Sequence, residues 1–210
     1  TNSITNSAYY GEEVLQSSVK MINSLSAELN IMRPSMMETG LESVAYNLNR
    51  KNSDLLFFEF GKTYHSSEAN KYTEQQHLSL YLTGNTTAAN WKHKGEKADF
   101  YFIKGVVDKI SKLLGVTVNV FMSAGADKLS GAVVAKVKND VIAELGGISK
   151  KTLANFDIKQ PVFYADINWD KLLELSKKQQ IAFTEIPKYP AVYRDLAIVI
   201  DKSIPYEQVE

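Results

Sequence analysis

The chain has 210 residues, with 24 Lys and Arg against 24 Asp and Glu, no cysteine, 44% hydrophobic and 23% charged residues. That composition suits a globular protein with one sizeable core, or one core and part of a second. It excludes a disulfide framework, Cys-containing zinc sites and thiol catalysis, and a balanced charge does not predict a nucleic-acid protein, although RNA contact stays open.

In chain order, Ser17–Arg33 reads as mixed, a strand in its first half and a short helix over Ser24–Leu29. Arg33–Lys51 is a helix, with Pro34 suited to its first turn and Met37, Leu41, Val44, Ala45 and Leu48 at helical spacing. Leu55–Phe60 is a nearly continuous apolar run and reads as a buried strand whose one charge is Glu59. His65–Gln76 is polar, a hairpin loop by composition, before a strand over His77–Leu82. A second helix spans Ala98–Gly115, with Phe102, Ile103, Val106, Val107, Ile110, Leu113 and Leu114 at spacings of three and four and Gly115 as its cap. Val116–Phe121, Ala132–Val137, Val141–Leu145 and Gln160–Ile167 read as strands, and Trp169–Lys178 as a helix with Leu172, Leu173 and Leu175 apolar. The order gives α+β with a mostly antiparallel sheet flanked by helices. Two prolines in Glu185–Pro190 mark a boundary, which sets a first domain over 1–186 and the start of a second over 187–210, with a strand at Asp195–Asp201.

No catalytic constellation stands out. His65, His77 and His93 are scattered without carboxylates at ligand spacing, so no metal site is expected. Gly146–Ser149 and Gly125–Gly131 match no phosphate-binding fingerprint and read as turns. Trp91 beside Lys92-His93-Lys94-Gly95-Glu96-Lys97 could face a phosphate backbone by charge and stacking; a solvated loop is the plainer reading. Glu59 is either a binding-site carboxylate, the partner of Arg33 or Arg50, or a residue at a sheet edge. Arg194 and Asp195, adjacent on an extended chain, point to opposite faces and read as separate structural contacts. No stretch approaches the ~18 apolar residues of a membrane span, and the N-terminus lacks the regions of a signal peptide, so a cytoplasmic location is the default. Thr1 in place of Met suggests a fragment.

Three runs carry a resemblance: Met32-Arg33-Pro34-Ser35-Met36-Met37-Glu38-Thr39-Gly40-Leu41, Asn47-Leu48-Asn49-Arg50, and Leu56-Phe57-Phe58-Glu59-Phe60-Gly61-Lys62-Thr63-Tyr64. Together they resemble the catalytic-like region of the beta subunit of bacterial phenylalanine–tRNA ligases. Val19–Ser24, Ala98–Gly105 and Pro187–Ala197 are similar to other segments of that family in the same order, the last to the opening of a ferredoxin-like anticodon-binding domain. Ser24 stands where proline is usual.

The resemblance implies a class II synthetase fold, an antiparallel sheet flanked by helices, without catalysis. A working site of that class grips ATP phosphates with an arginine after the Phe-Glu-Phe-Gly type strand and a second one in a later strand and helix. Thr63–Glu68 and Val162–Asp170 stand in those places and contain no arginine. The implied role is structural, packing on the alpha catalytic subunit in an assembly of two alpha and two beta chains that charges tRNA(Phe). Catalytic residues are then none, and ATP and Mg belong to the holoenzyme rather than to this chain. The resemblance makes Val19, Met21, Asn23, Arg33, Met37 and Leu41 the candidates for the subunit face, and Glu59, Gly61 and Arg50 the candidates for a vestigial pocket or structural contact. The competing readings are a stand-alone RNA-binding module and a domain that activates an amino acid itself.

Overall fold

The computed structural model describes residues 2–24, 26, 28–68, 71–88, 90–123, 127–177, 188–201 and 204. The chain divides into two compact units, Thr1–Lys178 and Gln179–Glu210. The expected boundary lay further on, at 186/187.

In the first unit, β1 (Ile4–Thr5), a 3-10 turn (Ser7–Tyr9) and α1 (Glu12–Gln16) precede β2 (Ile31–Met32), which pairs antiparallel with β1. Sequence reading found neither β1 nor α1, which are two and five residues long, too short for a periodic signal. The described residues of Ser24–Leu29 form no helix; Ser26 and Leu29 bridge each other instead. Then come α2 (Met37–Leu48), β3 (Leu55–Glu68), β4 (Lys71–Thr83), α3 (Phe100–Leu113), β5 (Asn119–Met122), β6 (Leu129–Val137), β7 (Asp140–Ile148), α4 (Lys150–Ala154), β8 (Val162–Asn168) and α5 (Trp169–Ser176). The six long strands form one sheet in the order β3-β4-β8-β7-β6-β5, and every pairing is antiparallel.

Side-chain alternation sends two apolar sets to opposite faces. Leu78, Leu80 and Leu82 of β4, with Ala165 and Ile167 of β8, pack against Ile103 and Val107 of α3 and Leu172 of α5. On the other face Tyr81 and Tyr164 meet Met37, Leu41 and Val44 of α2 and Leu153 of α4. The Tyr81 hydroxyl donates to the Met36 carbonyl at 2.6 Å, which anchors the start of α2 on the sheet. That helix begins after Pro34 rather than at it: the Ser35 hydroxyl accepts from the Met37 N–H and starts the turn. Asp99 and Asn168 cap α3 and α5 by accepting from Phe102 N–H and Lys171 N–H, and Gly115 follows α3 with φ of 72°. Phe102 and Leu113, expected on the apolar side of α3, are exposed.

Three other expectations change. The described residues of the polar run His65–Gln76 belong to β3 and β4, which pair from Leu55↔Thr83 to Ser66↔Tyr72, because a ladder needs only backbone groups once the apolar half has set its register. Gly146, Gly147 and Ile148 lie in β7 and Gly131 in β6, rather than in turns; Gly125 lies outside the described residues. In the second unit, the described residues 188–201 form no strand, since nothing among the described residues offers Asp195–Asp201 a ladder partner.

Candidate functional site

Strand register aligns a polar row across the face that carries α2. Glu59 of β3 lies opposite Ser79 of β4, Ser79 opposite Asp166 of β8, and Asp166 opposite Glu144 of β7. One pair further along are Gly61, His77 and Asn168. Sequence reading singled out Glu59 but missed this row, since the carboxylates meet only through strand order: Asp166 lies 107 positions from Glu59, and Glu144 on a strand reached through β8.

The row is internally satisfied. Ser79 Oγ donates to Asp166 Oδ1 at 3.0 Å, and His77 Nδ1 sits 3.0 Å from the same carboxylate. His77 Nε2 is 2.9 Å from Thr63 Oγ1. Thr63 and Ser79 are buried and the Asp166 side chain is 26% exposed, and the Thr63–His77–Asp166 chain works as a cross-strand tie. His65, one pair beyond, is pushed below its usual pKa by burial and then by the neighbouring His77. Burial, followed by the charges of Glu59 and Asp166 respectively, raises Tyr81 and Tyr164 well above 10.

Glu59 meets Arg33. The guanidinium Nη1 lies 2.8 Å from Glu59 Oε1, Nε donates to the Lys62 carbonyl at 2.8 Å, and Nη1 also reaches the Asn2 carbonyl and Thr39 Oγ1 at 3.3 and 3.4 Å. The side chains are 3% and 16% exposed, which makes the pair an interior one. Gly61 belongs to the same arrangement: a Cβ there would run into Arg33 Nη2 and Met36 Cε, so a larger residue would force the guanidinium or the thioether end to shift. Arg50 is elsewhere, stacked 3.3 Å over the Tyr46 ring and bonded to the Tyr46 carbonyl. Glu59, with Gly40, Ser43, Phe57, Phe58 and Tyr81, lines a cavity of about 190 Å³ between α2 and the sheet.

The two arginine-free stretches are offset across the sheet, since β8 stands opposite Leu55–Gly61 of β3 through β4. Thr63–Glu68 is the far half of β3, Val162–Asp170 runs through β8 into α5, and β4 separates them. Around them the cations are engaged: Lys62 pairs with Glu74 at 2.7 Å and Lys171 with Asp140 at 2.7 Å. The described residues hold no cluster of His, Asp and Glu able to bind a metal ion.

The subunit-face candidates divide. Arg33, Met37 and Leu41 are buried within this chain and serve its own core; Val19 and Met21 are half-buried, and Asn23 is exposed. An exposed apolar strip lies on β3, whose place at the sheet edge leaves Leu56, Phe58 and Phe60 exposed to 49, 70 and 55%. Phe58 and Phe60 meet edge-on at 6.3 Å, and Phe60 packs at 4.9 Å on Trp169. The continuous apolar run concealed this, because periodicity cannot say whether a strand is central or at an edge.

Comparison with solved structures gives the class. A pyrrolysyl-tRNA synthetase from Desulfitobacterium hafniense superposes with a TM-score of 0.64 at 13% identity, covering 84% of this chain and 62% of that one. A second structure from the same organism, a pyrrolysyl tRNA synthetase, gives 0.62 at 15%, covering 86% and 62%. The fold is that of class II aminoacyl-tRNA synthetases. Residues 1–169 match the family model described as the phenylalanyl tRNA synthetase beta chain CLM domain, and the chain belongs to that family. The phenylalanine–tRNA ligase beta subunits of Bacteroides thetaiotaomicron and Bacteroides fragilis are 40% and 39% identical to it over its whole length. That of Staphylococcus saprophyticus is 28% identical over 89% of this chain and 23% of its own. The chain spans about a quarter of these relatives, 27% of each Bacteroides protein.

Proposed function

We infer that this chain is the non-catalytic, class II-like module of a phenylalanine–tRNA ligase beta subunit. It packs on the alpha catalytic subunit, in an assembly of two alpha and two beta chains, and supports charging of tRNA(Phe) in the cytoplasm. The observation that carries this reading is the row of Glu59, Asp166 and Glu144 on the sheet face that carries α2. A triphosphate there would meet carboxylates, while Arg33 is held by Glu59 and Lys171 by Asp140. Developing charge at phosphorus would gain no partner. ATP and Mg therefore act in the alpha subunit.

Leu56, Phe58 and Phe60 supply the docking surface, a contiguous apolar strip at a sheet edge. The test is Phe58→Asp with Phe60→Asp. Both rings are more than half exposed, so the variant keeps the far-UV circular dichroism of the parent but no longer co-elutes with alpha. Retained co-elution would move the interface elsewhere.

A further inference from the structure

Between β4 and α3 the described residues 84–88 and 90–98 make a loop that is tied at its base. Asn85 bridges Lys97, the Thr86 N–H donates to the Glu96 carbonyl at 2.7 Å, and the Ala98 N–H donates to the Gly84 carbonyl at 2.8 Å. The tip turns on Asn90, whose side-chain oxygen accepts from the N–H groups of Lys92 and His93 at 2.9 and 2.8 Å; its own N–H donates to the His93 carbonyl at 2.9 Å. These bonds present Trp91 at the tip with 96% of its surface exposed. An indole offers more apolar surface than any other side chain, and one held in water by an ordered turn is a contact waiting for a partner.

The surroundings say which partner. Lys92, His93, Lys94 and Lys97 are all exposed, and among the described residues none is ion-paired. Glu96 is the loop's only acid. An exposed aromatic face followed directly by exposed ammonium groups matches an unstacked base with its neighbouring phosphates. An apolar protein pocket would accept the indole but leave the lysines without counter-charges. We propose that the tip, Trp91 with Lys92, His93 and Lys94, is an RNA contact of the assembled ligase that takes an unpaired nucleotide of the tRNA. The balanced charge of the whole chain does not oppose this, because phosphate contact responds to local potential. The proposal rests on the reading of the parent protein as a tRNA ligase.

The experiment uses the alpha–beta ligase with full-length beta subunit. Trp91→Ala, Trp91→Phe and the pair Lys92→Gln with Lys94→Gln are compared with the parent for tRNA(Phe) charging kinetics and for tRNA binding across a salt series. Trp91→Ala raises KM for tRNA about tenfold relative to KM for phenylalanine, the scale of one lost stacking contact. Trp91→Phe restores most of the loss. The lysine pair lowers the slope of log affinity against log salt by about one to two. Unchanged tRNA KM and salt slope in the Ala and Gln variants would overturn the site, and loss of alpha–beta co-elution by Trp91→Ala would reassign the indole to a protein contact. A parent assembly that fails to charge tRNA would sink the functional reading; a parent that charges tRNA normally beside unaffected variants would sink this site alone.

Discussion

Replacing Arg33 by Met should be the most damaging single change in the sheet–helix junction. The guanidinium pairs with Glu59 and donates to the Lys62 and Asn2 carbonyls and to Thr39 Oγ1, at 2.8 to 3.4 Å, and its side chain is 3% exposed. At an effective dielectric near 20, charge centres about 4 Å apart attract by ~4 kcal/mol, and desolvating both groups opposes that gain. Removing Arg33 alone leaves the cost without the gain: Glu59 stays inside, 16% exposed, and the Lys62 carbonyl loses a donor. The expected loss is therefore about 3–5 kcal/mol, the range for breaking a buried pair. Adding Glu59→Gln to Arg33→Met removes the buried carboxylate charge and should restore about half, so the double variant should cost clearly less than the sum of the two singles. Urea denaturation of the parent, both single variants and the double variant closes the cycle. A cost under ~1 kcal/mol for Arg33→Met, or a double variant equal to the sum of the singles, would refute the claim that this pair is an interior structural element.

Gly61→Ala places a methyl group against Arg33 Nη2 and Met36 Cε, so it should cost about 1–3 kcal/mol by overpacking, read from the same urea midpoints; a neutral effect would mean the guanidinium yields freely. His65 has a folded pKa below the 6.5 of the unfolded chain. Above pH ~6.5 both states are neutral there, and below it the unfolded state takes up the proton first, so stability falls with acidification. His65→Asn should flatten that fall between pH 7.5 and 5.5, and an equal fall in variant and parent would remove His65 as its source.

Much of the architecture was legible because its signals are local. The apolar spacing of Met37, Leu41 and Val44 sets α2, and the spacing of Ile103 and Val107 with Gly115 sets α3. The far half of the β3–β4 hairpin was not legible: its residues are polar, and register propagates into it from the apolar half. The same limit hid the site. Glu59 was noticed as a charge in an apolar run, and Arg33 was among its possible partners, but the row through Ser79, Asp166 and Glu144 exists only once β8 is placed between β4 and β7. Burial of Arg33 was likewise invisible, since motif resemblance locates a segment without saying which side chains it turns inward, whereas the helical spacing of Met37 and Leu41 already pointed them at the core.

The central claim, that this module supports a ligase without performing its chemistry, is tested most directly by ATP–pyrophosphate exchange. Phenylalanine-dependent exchange is measured on this chain alone, on the matching alpha subunit, and on the mixture after gel filtration. A supporting, non-catalytic role predicts no exchange by the chain alone and its co-elution with alpha. Exchange by the chain alone would contradict it.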